Sequence, residues 1–214
     1  LALLLPAPVA AQDLVLVDAS VVDVTDGSIR SGVSVIIRDG MIDAVEEGRV
    51  DTPDGVRSVD LDGRYLAPGL IDAHVHVESV DQVRRALGTG VTTMRSMGSS
   101  HYADVGLREL HRNGHLEGPE VLAAGYHVRP PAAEAFFLDH PEMGSWFGRE
   151  IRGDEAVRAM TRALLSRGVD FVKTNATERA GLPDTDPRLP FYSEAELRAI
   201  VEEAAAEGVG VAAH

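Results

Sequence analysis

The chain contains no cysteine, so neither a disulfide framework nor a thiolate metal ligand is open to it. Any metal site must be built from histidine, carboxylate or modified lysine. Positive charge is scarce as well: 20 basic residues against 34 acidic ones leave a formal net charge of −14. That balance argues against nucleic acid and anionic membrane as partners, because both are repelled. The apolar start, Leu1–Gln12, is too short to span a bilayer and gives no stable membrane anchor. It reads as a signal peptide remnant, residues 1–12, with Val9 and Ala11 placed as at a cleavage site. An exported protein, periplasmic or extracellular, follows from that reading; a disordered apolar tail or a wrongly assigned start is the alternative. Neither an initiator methionine nor a basic segment precedes it, which reads as a chain clipped at its start. No internal repeat is evident.

What is present is a chain of 214 residues, 44% hydrophobic, able to bury a sizeable core in one or two domains. Residues 13–65 show short β runs punctuated by Asp-Gly turns. Leu14–Val17, Ser20–Val24, Val33–Ile37 and Met41–Val45 are the expected strands, and the series reads as a small antiparallel sheet. After Ile71 the rhythm changes to strand–helix alternation, which implies a parallel sheet. Helices are expected at Asp81–Leu87, Asp104–Asn113, Asp154–Arg167 and Ser193–Glu207. The third carries Val157, Met160 and Leu164 on one face. The last opens on a Ser193/Glu196 capping box and is expected to bury Leu197, Ile200, Val201 and Ala204. Strands fall at 71–77, 91–97, 120–126, 170–176 and 208–214. The stretch Tyr126–Asp154 has no clear periodicity and reads as a long loop over the strand ends, where barrels meet substrate.

The most informative segment is Asp72-Ala73-His74-Val75-His76, at the end of an apolar run entered through Pro68-Gly69. Side chains alternate along a strand, so His74 and His76 point the same way and can hold one metal ion. A pair of polar residues on a sheet face fits the same spacing. Lys173 sits near the end of a strand between Phe171-Val172 and Thr174-Asn175. Buried there, it is costly as a cation unless paired or neutral; snorkelling to solvent is the alternative. His214 ends the apolar run Val209–Ala213. Tyr126 and His127 follow the third strand directly and are candidates to touch substrate, or are plain loop residues. His101, His111 and His115 read as solvated, and His140 falls in the long loop. Glu78 and Arg95, near strand ends, are candidate partners of the ligands.

Leu66-Ala-Pro-Gly-Leu-Ile-Asp-Ala-His-Val-His-Val77 resembles the first barrel strand of the amidohydrolase superfamily. Gly90–Gly98, Asp170–Asn175 and Gly208–His214 resemble its second, fourth and fifth strands in the right order. The likeness is greatest to the branch of imidazolonepropionase-like enzymes and Xaa-Pro dipeptidases. The resemblance implies an α/β chain: a partial (β/α)8 TIM barrel with about five of eight strands over residues 66–214. Before it, residues 13–65 become the N-terminal part of a composite β-sandwich domain. An open five-stranded parallel sheet is the structural alternative. On this reading the chain is the N-terminal portion of a protein nearly twice as long.

The resemblance also implies a metal set of His74, His76, Lys173 and His214, with two Zn ions bridged by carboxylated Lys173. A sixth-strand histidine and the proton-shuttling aspartate would lie beyond residue 214, so no catalytic acid–base residue is expected within it. The implied reaction is metal-assisted hydrolysis of a C–N bond in a small-molecule or dipeptide substrate, an acylated amino acid or a cyclic amide. Thr174-Asn175-Ala176-Thr177 after the lysine departs from the glycines of many relatives, which bears on substrate subgroup more than on metal. The rivals are a mononuclear deaminase or lactonase of the same barrel, with Lys173 unmodified, and a secreted binding protein without turnover. No oligomeric state follows from the sequence.

Overall fold

The computed structural model describes residues 13–178, 180–181 and 183–214. The signal-peptide reading of residues 1–12 lies outside the described residues. The chain divides into two compact units, the first ending at Gly69 and the second running Leu70–His214.

The first unit is a five-stranded sheet of β1 (Leu14–Val22), β2 (Ile29–Arg38), β3 (Met41–Glu47), β4 (Arg57–Asp60) and β5 (Tyr65–Leu66). Val15, Val17 and Ala19 alternate inward on β1 and meet Val33 and Val35 of β2. The β2–β3 hairpin turns at Asp39-Gly40, both at positive φ (49° and 77°), which suits the right-handed twist of the strands it joins. The sheet is mixed rather than antiparallel. β4 and β5 both pair with β1 in parallel, Leu14 opposite Arg57 and Ser20 opposite Tyr65. The expected break before Ser20 is also absent. β1 runs through it with register irregularities on either side of Ala19, next to Asp18 at φ 55°.

The second unit alternates parallel strands with helices. Its strands are β6 (Leu70–Val75), β7 (Val91–Ser96), β8 (Glu120–Ala123), β9 (His127–Val128), β10 (Phe171–Thr174) and β11 (Gly210–Ala213). They form two three-stranded parallel sheets, β6-β7-β8 and β9-β10-β11. The strand expected at 120–126 ends early as β8, at Ala123, and β9 forms just beyond it after Ala124–Tyr126. Asp170 joins the sheets: its backbone N–H donates to Ala123 O, and its Oδ2 accepts from Ala123 N, both at 2.8 Å. The buried Arg108 guanidinium clamps the same carboxylate at 2.7 Å. Past β11, the His214 N–H donates to Thr174 O and its carbonyl accepts from Ala176 N, which carries the β10–β11 pairing to the last residue.

The helices are α1 (Val80–Gly88), α2 (Ala103–Arg112), α3 (Glu134–Asp139), α4 (Pro141–Phe147), α5 (Asp154–Leu165) and α6 (Glu194–Ala206). α5 buries Val157, Met160 and Leu164 as its periodicity demands, and α6 carries the complete Ser193/Glu196 capping box. Val201 is the exception. α6 turns Ala199, Ile200 and Ala204 inward, and Val201, one position (about 100°) round from Ile200, stays 50% exposed. The stretch expected as loop is in part helical: α3 and α4 bury Phe136 and Met143 in the main core with Ile151. Each is too short for a 3.6-residue period to register in sequence.

Candidate functional site

The site forms at the C-terminal ends of the second unit's strands. His74 and His76 share a face of the β6 segment, with ring centroids 5.7 Å apart and edge-on. His127 lies 5.9 Å from His76 on the other side. Two successive carbonyls at the end of β7 orient these rings. His76 Nδ1 lies 2.9 Å from Gly98 O, and His127 Nε2 lies 2.5 Å from Met97 O. A carbonyl can only accept, so both nitrogens carry hydrogen, leaving His76 Nε2 and His127 Nδ1 with free lone pairs. The approach is close enough that Gly98 is obligatory: it sits at φ 136°, and a Cβ there would meet His127 Nε2 at 2.2 Å.

Lys173 is opposite His127 on one side and Ala212 on the other in the β9-β10-β11 register. His214, two residues beyond Ala212, therefore faces the same way. Lys173 is buried, 3% exposed, and among the described residues its ammonium has neither an ion pair nor a hydrogen bond. Burial, and then the charge of Arg95, push its pKa below the ordinary lysine value. Arg95 itself donates to Ala73 O at 3.0 Å and lies over the Phe171 ring. His74 also titrates low, first through partial desolvation and then through Lys173, His76, His214 and Arg95, so these groups feel one another across the strand ends. Burial takes His127 down to about 4, with Arg129, His76 and Lys173 adding to the effect against its bond to Met97. Among the described residues, however, no three His, Asp or Glu side chains already converge on one ion-sized position. Asn175, two residues beyond Lys173 on the same face, has a buried Oδ1 with no hydrogen-bond partner among the described residues.

Next to His76 and His127 opens a cleft of about 180 Å³, lined also by Glu78, Gly98, Tyr126 and Arg129. Tyr126 is held from both sides: its hydroxyl donates to Asp139 Oδ2 at 2.6 Å and accepts from His101 N at 2.7 Å. Asp104 supports the backbone before it, since the fully buried carboxylate accepts from Ala124 N and Gly125 N, each at 3.1 Å. Glu78 Oε1 accepts from Ser100 N at 2.9 Å rather than from any of the histidines. His101 is mostly exposed beside Asp139, His111 Nδ1 pairs with Leu116 O, and His115 is exposed. His140, expected in an open loop, is buried between α3 and α4 with Nε2 2.7 Å from Tyr102 Oη, where it serves the core.

One contributor, Asp104, escapes a motif-based reading of the sequence. Asp104 looks like an ordinary first-turn acid of a helix, and nothing local shows that it anchors the link between β8 and β9 at Ala124 and Gly125. Lys173 does carry a compositional signal: it is the single lysine of the chain, the other basic residues all being arginine.

Comparison with known proteins bears on the family and the fold. An adenine deaminase of Mesorhizobium japonicum is 30% identical over 200 residues, 84% of this chain and 33% of that protein. An enamidase of Eubacterium barkeri is 28% identical over 155 residues, 60% of this chain and 40% of that protein. Among solved structures, a Xaa-Pro dipeptidase with bound methionine matches with a TM-score of 0.79 at 22% identity, over 95% of this chain and 56% of that one. A molinate hydrolase matches with a TM-score of 0.79 at 22% identity, over 96% and 54% respectively. The chain thus spans about half the length of those solved chains and less of the curated relatives, and it shares their mixed α/β fold. The model of the amidohydrolase family covers residues 65–214, every strand-end residue described above included, and the chain belongs to that family.

Proposed function

We propose that the second unit is the first five β/α repeats of a (β/α)8 barrel and that the first unit is part of a β-sandwich. The complete protein is then a metal-dependent hydrolase of a C–N bond in a dipeptide, an acylated amino acid or a cyclic amide. The observation that carries the proposal is Lys173: a solitary lysine, buried without a counter-ion among the described residues at a barrel-type strand end, within electrostatic reach of His74 and on the face that His214 shares. A purely structural lysine there keeps a partly desolvated charge with no partner among the described residues, which burial disfavours.

The residues fit a divalent ion. With no cysteine in the chain, imidazole and carboxylate-like oxygen are the available donors, a set suited to zinc-type ions. His76 presents Nε2 because Gly98 O holds its other nitrogen, the outer-shell arrangement that orients metal-bound histidines. Lys173 becomes a donor by carboxylation. Its neutral nitrogen adds to CO2, the lone pair forms the N–C bond, one C=O pair moves onto oxygen, and the nitrogen proton leaves to solvent. The product is a carbamate whose single negative charge is shared by two oxygens, and together with His74, His76 and His214 it would hold the divalent metal. A divalent metal bound there supplies Lewis acidity toward a substrate carbonyl and an acidified water. Tyr126 and His127 contribute a fixed, neutral wall to the cleft beside it. The acidic chain and its apolar leader fit an exported protein acting on small molecules.

Lys173→Ala in the complete protein is expected to lose bound metal and activity together, and Lys173→Arg to do no better, because guanidinium does not carboxylate. His74→Ala and His76→Ala are expected to lower metal content with Lys173 intact. Retention of two metals and a near-normal rate in Lys173→Ala, by elemental analysis and assay, would refute the proposal. The adenine deaminase relative favours one second reading, a deaminase with Lys173 unmodified. Ammonia release from a purine, with full metal content in Lys173→Ala, would establish it instead.

A further inference from the structure

The cleft beside the histidines contains a charge that the hydrolytic reading leaves without work. Arg129 lines it together with His76 and His127. It follows β9 directly, one residue past the end of that strand at Val128, and contributes to the cleft wall beside His127. The residue is half-buried, and among the described residues its guanidinium makes neither a hydrogen bond nor an ion pair. Most arginines of this acidic chain are spoken for: Arg108, Arg112, Arg158 and Arg188 all hold carboxylates. What sets Arg129 apart is its place: it lines the cleft beside the candidate ligands, where an anion can reach it from outside. The only acidic group lining the same cleft, Glu78, has one oxygen engaged by Ser100 N.

We infer that Arg129 recognises a carboxylate on the substrate, which makes the substrate class one that bears a free carboxyl group near the scissile bond. Dipeptides and N-acyl amino acids have it; simple cyclic amides, ureas and purines do not. The planar guanidinium matches a carboxylate through two parallel N–H···O bonds, and a half-buried position keeps water from screening them. The inference deepens the hydrolase reading, yet it concerns what is bound and not what is cleaved.

The test uses the complete, metal-loaded protein and two probes that differ in one group, N-acetyl-L-alanine and N-acetyl-L-alaninamide. Calorimetric titration is expected to show the acid bound about tenfold or more tightly than the amide. In Arg129→Gln that preference disappears because the acid weakens while the amide is unmoved, and Arg129→Lys restores it in part. Equal binding of the two probes by the native protein, binding of neither, or a preference that survives Arg129→Gln overturns the inference. A preference that behaves as expected, in a protein that hydrolyses no C–N bond, leaves Arg129 assigned and removes the hydrolase reading instead.

Discussion

Replacing Gly98 by alanine tests the construction of the site at its tightest point. The residue holds φ at 136°, where an L side chain costs about 1–3 kcal/mol. Its new Cβ would stand 2.2 Å from His127 Nε2 and 2.4 Å from Cδ2, far inside contact distance. The imidazole must move, and the bond it makes to Met97 O, 2.5 Å long, is lost with it at about 0.5–1.5 kcal/mol. The sum is about 1.5–4.5 kcal/mol, which in a chain of this size lowers the melting temperature by roughly 3–18 °C. Gly106 supplies the control. It lies inside α2 with open space around its Cβ position, so Gly106→Ala is expected to stabilise by about 0.5–1 kcal/mol. Thermal unfolding of the two variants beside the parent, with the His127 ring followed by NMR, decides the matter. A Gly98→Ala protein that melts with the parent and keeps its His127 resonances would refute the argument that successive β7 carbonyls fix the two imidazoles.

Asp104→Ala removes the acceptor of two buried backbone N–H groups at Ala124 and Gly125, and is expected to cost about 2–4 kcal/mol by denaturant titration, with loss of order in Tyr126. Asp139 gives a pH-dependent term. The Tyr126 hydroxyl, and then His101, hold its carboxylate below the ordinary value of 3.8, so its contribution is complete above that value and is lost as pH falls through the lowered one. Asp139→Asn is expected to flatten the acid limb of the stability profile between about pH 5 and about pH 2, and an unchanged limb would remove Asp139 from the account.

Elements with a full period or a chemical signature were readable in the sequence. α6 is the clearest case, since its capping box announces the first turn and its apolar spacing the buried face. The Pro68-Gly69 entry and the His-x-His spacing did the same for β6. What failed to show did so for physical reasons. β4 and β5 are four and two residues long, and they pair with β1 in parallel across tens of residues, a contact that no local pattern encodes. α3 and α4 are stabilised by Phe136 and Met143 reaching a core assembled from distant strands, not by their own propensity. In the site, residue types at the strand ends could be listed from sequence, but the hydrogen bonds that set each tautomer come from backbone carbonyls. Those depend on the path of the chain between β7 and α2, where His101 and Tyr102 both adopt positive φ.

The scarcity of lysine has a practical consequence. Because Lys173 is the only lysine, an amine-selective reagent applied to residues 1–214 has two targets at most, Lys173 and the α-amino group. The extent of acylation at one tryptic boundary then separates a free, neutral nitrogen from one that is protonated or capped. Growth on isotopically labelled lysine likewise places a single signal in this part of the molecule, at the atom on which its chemistry turns.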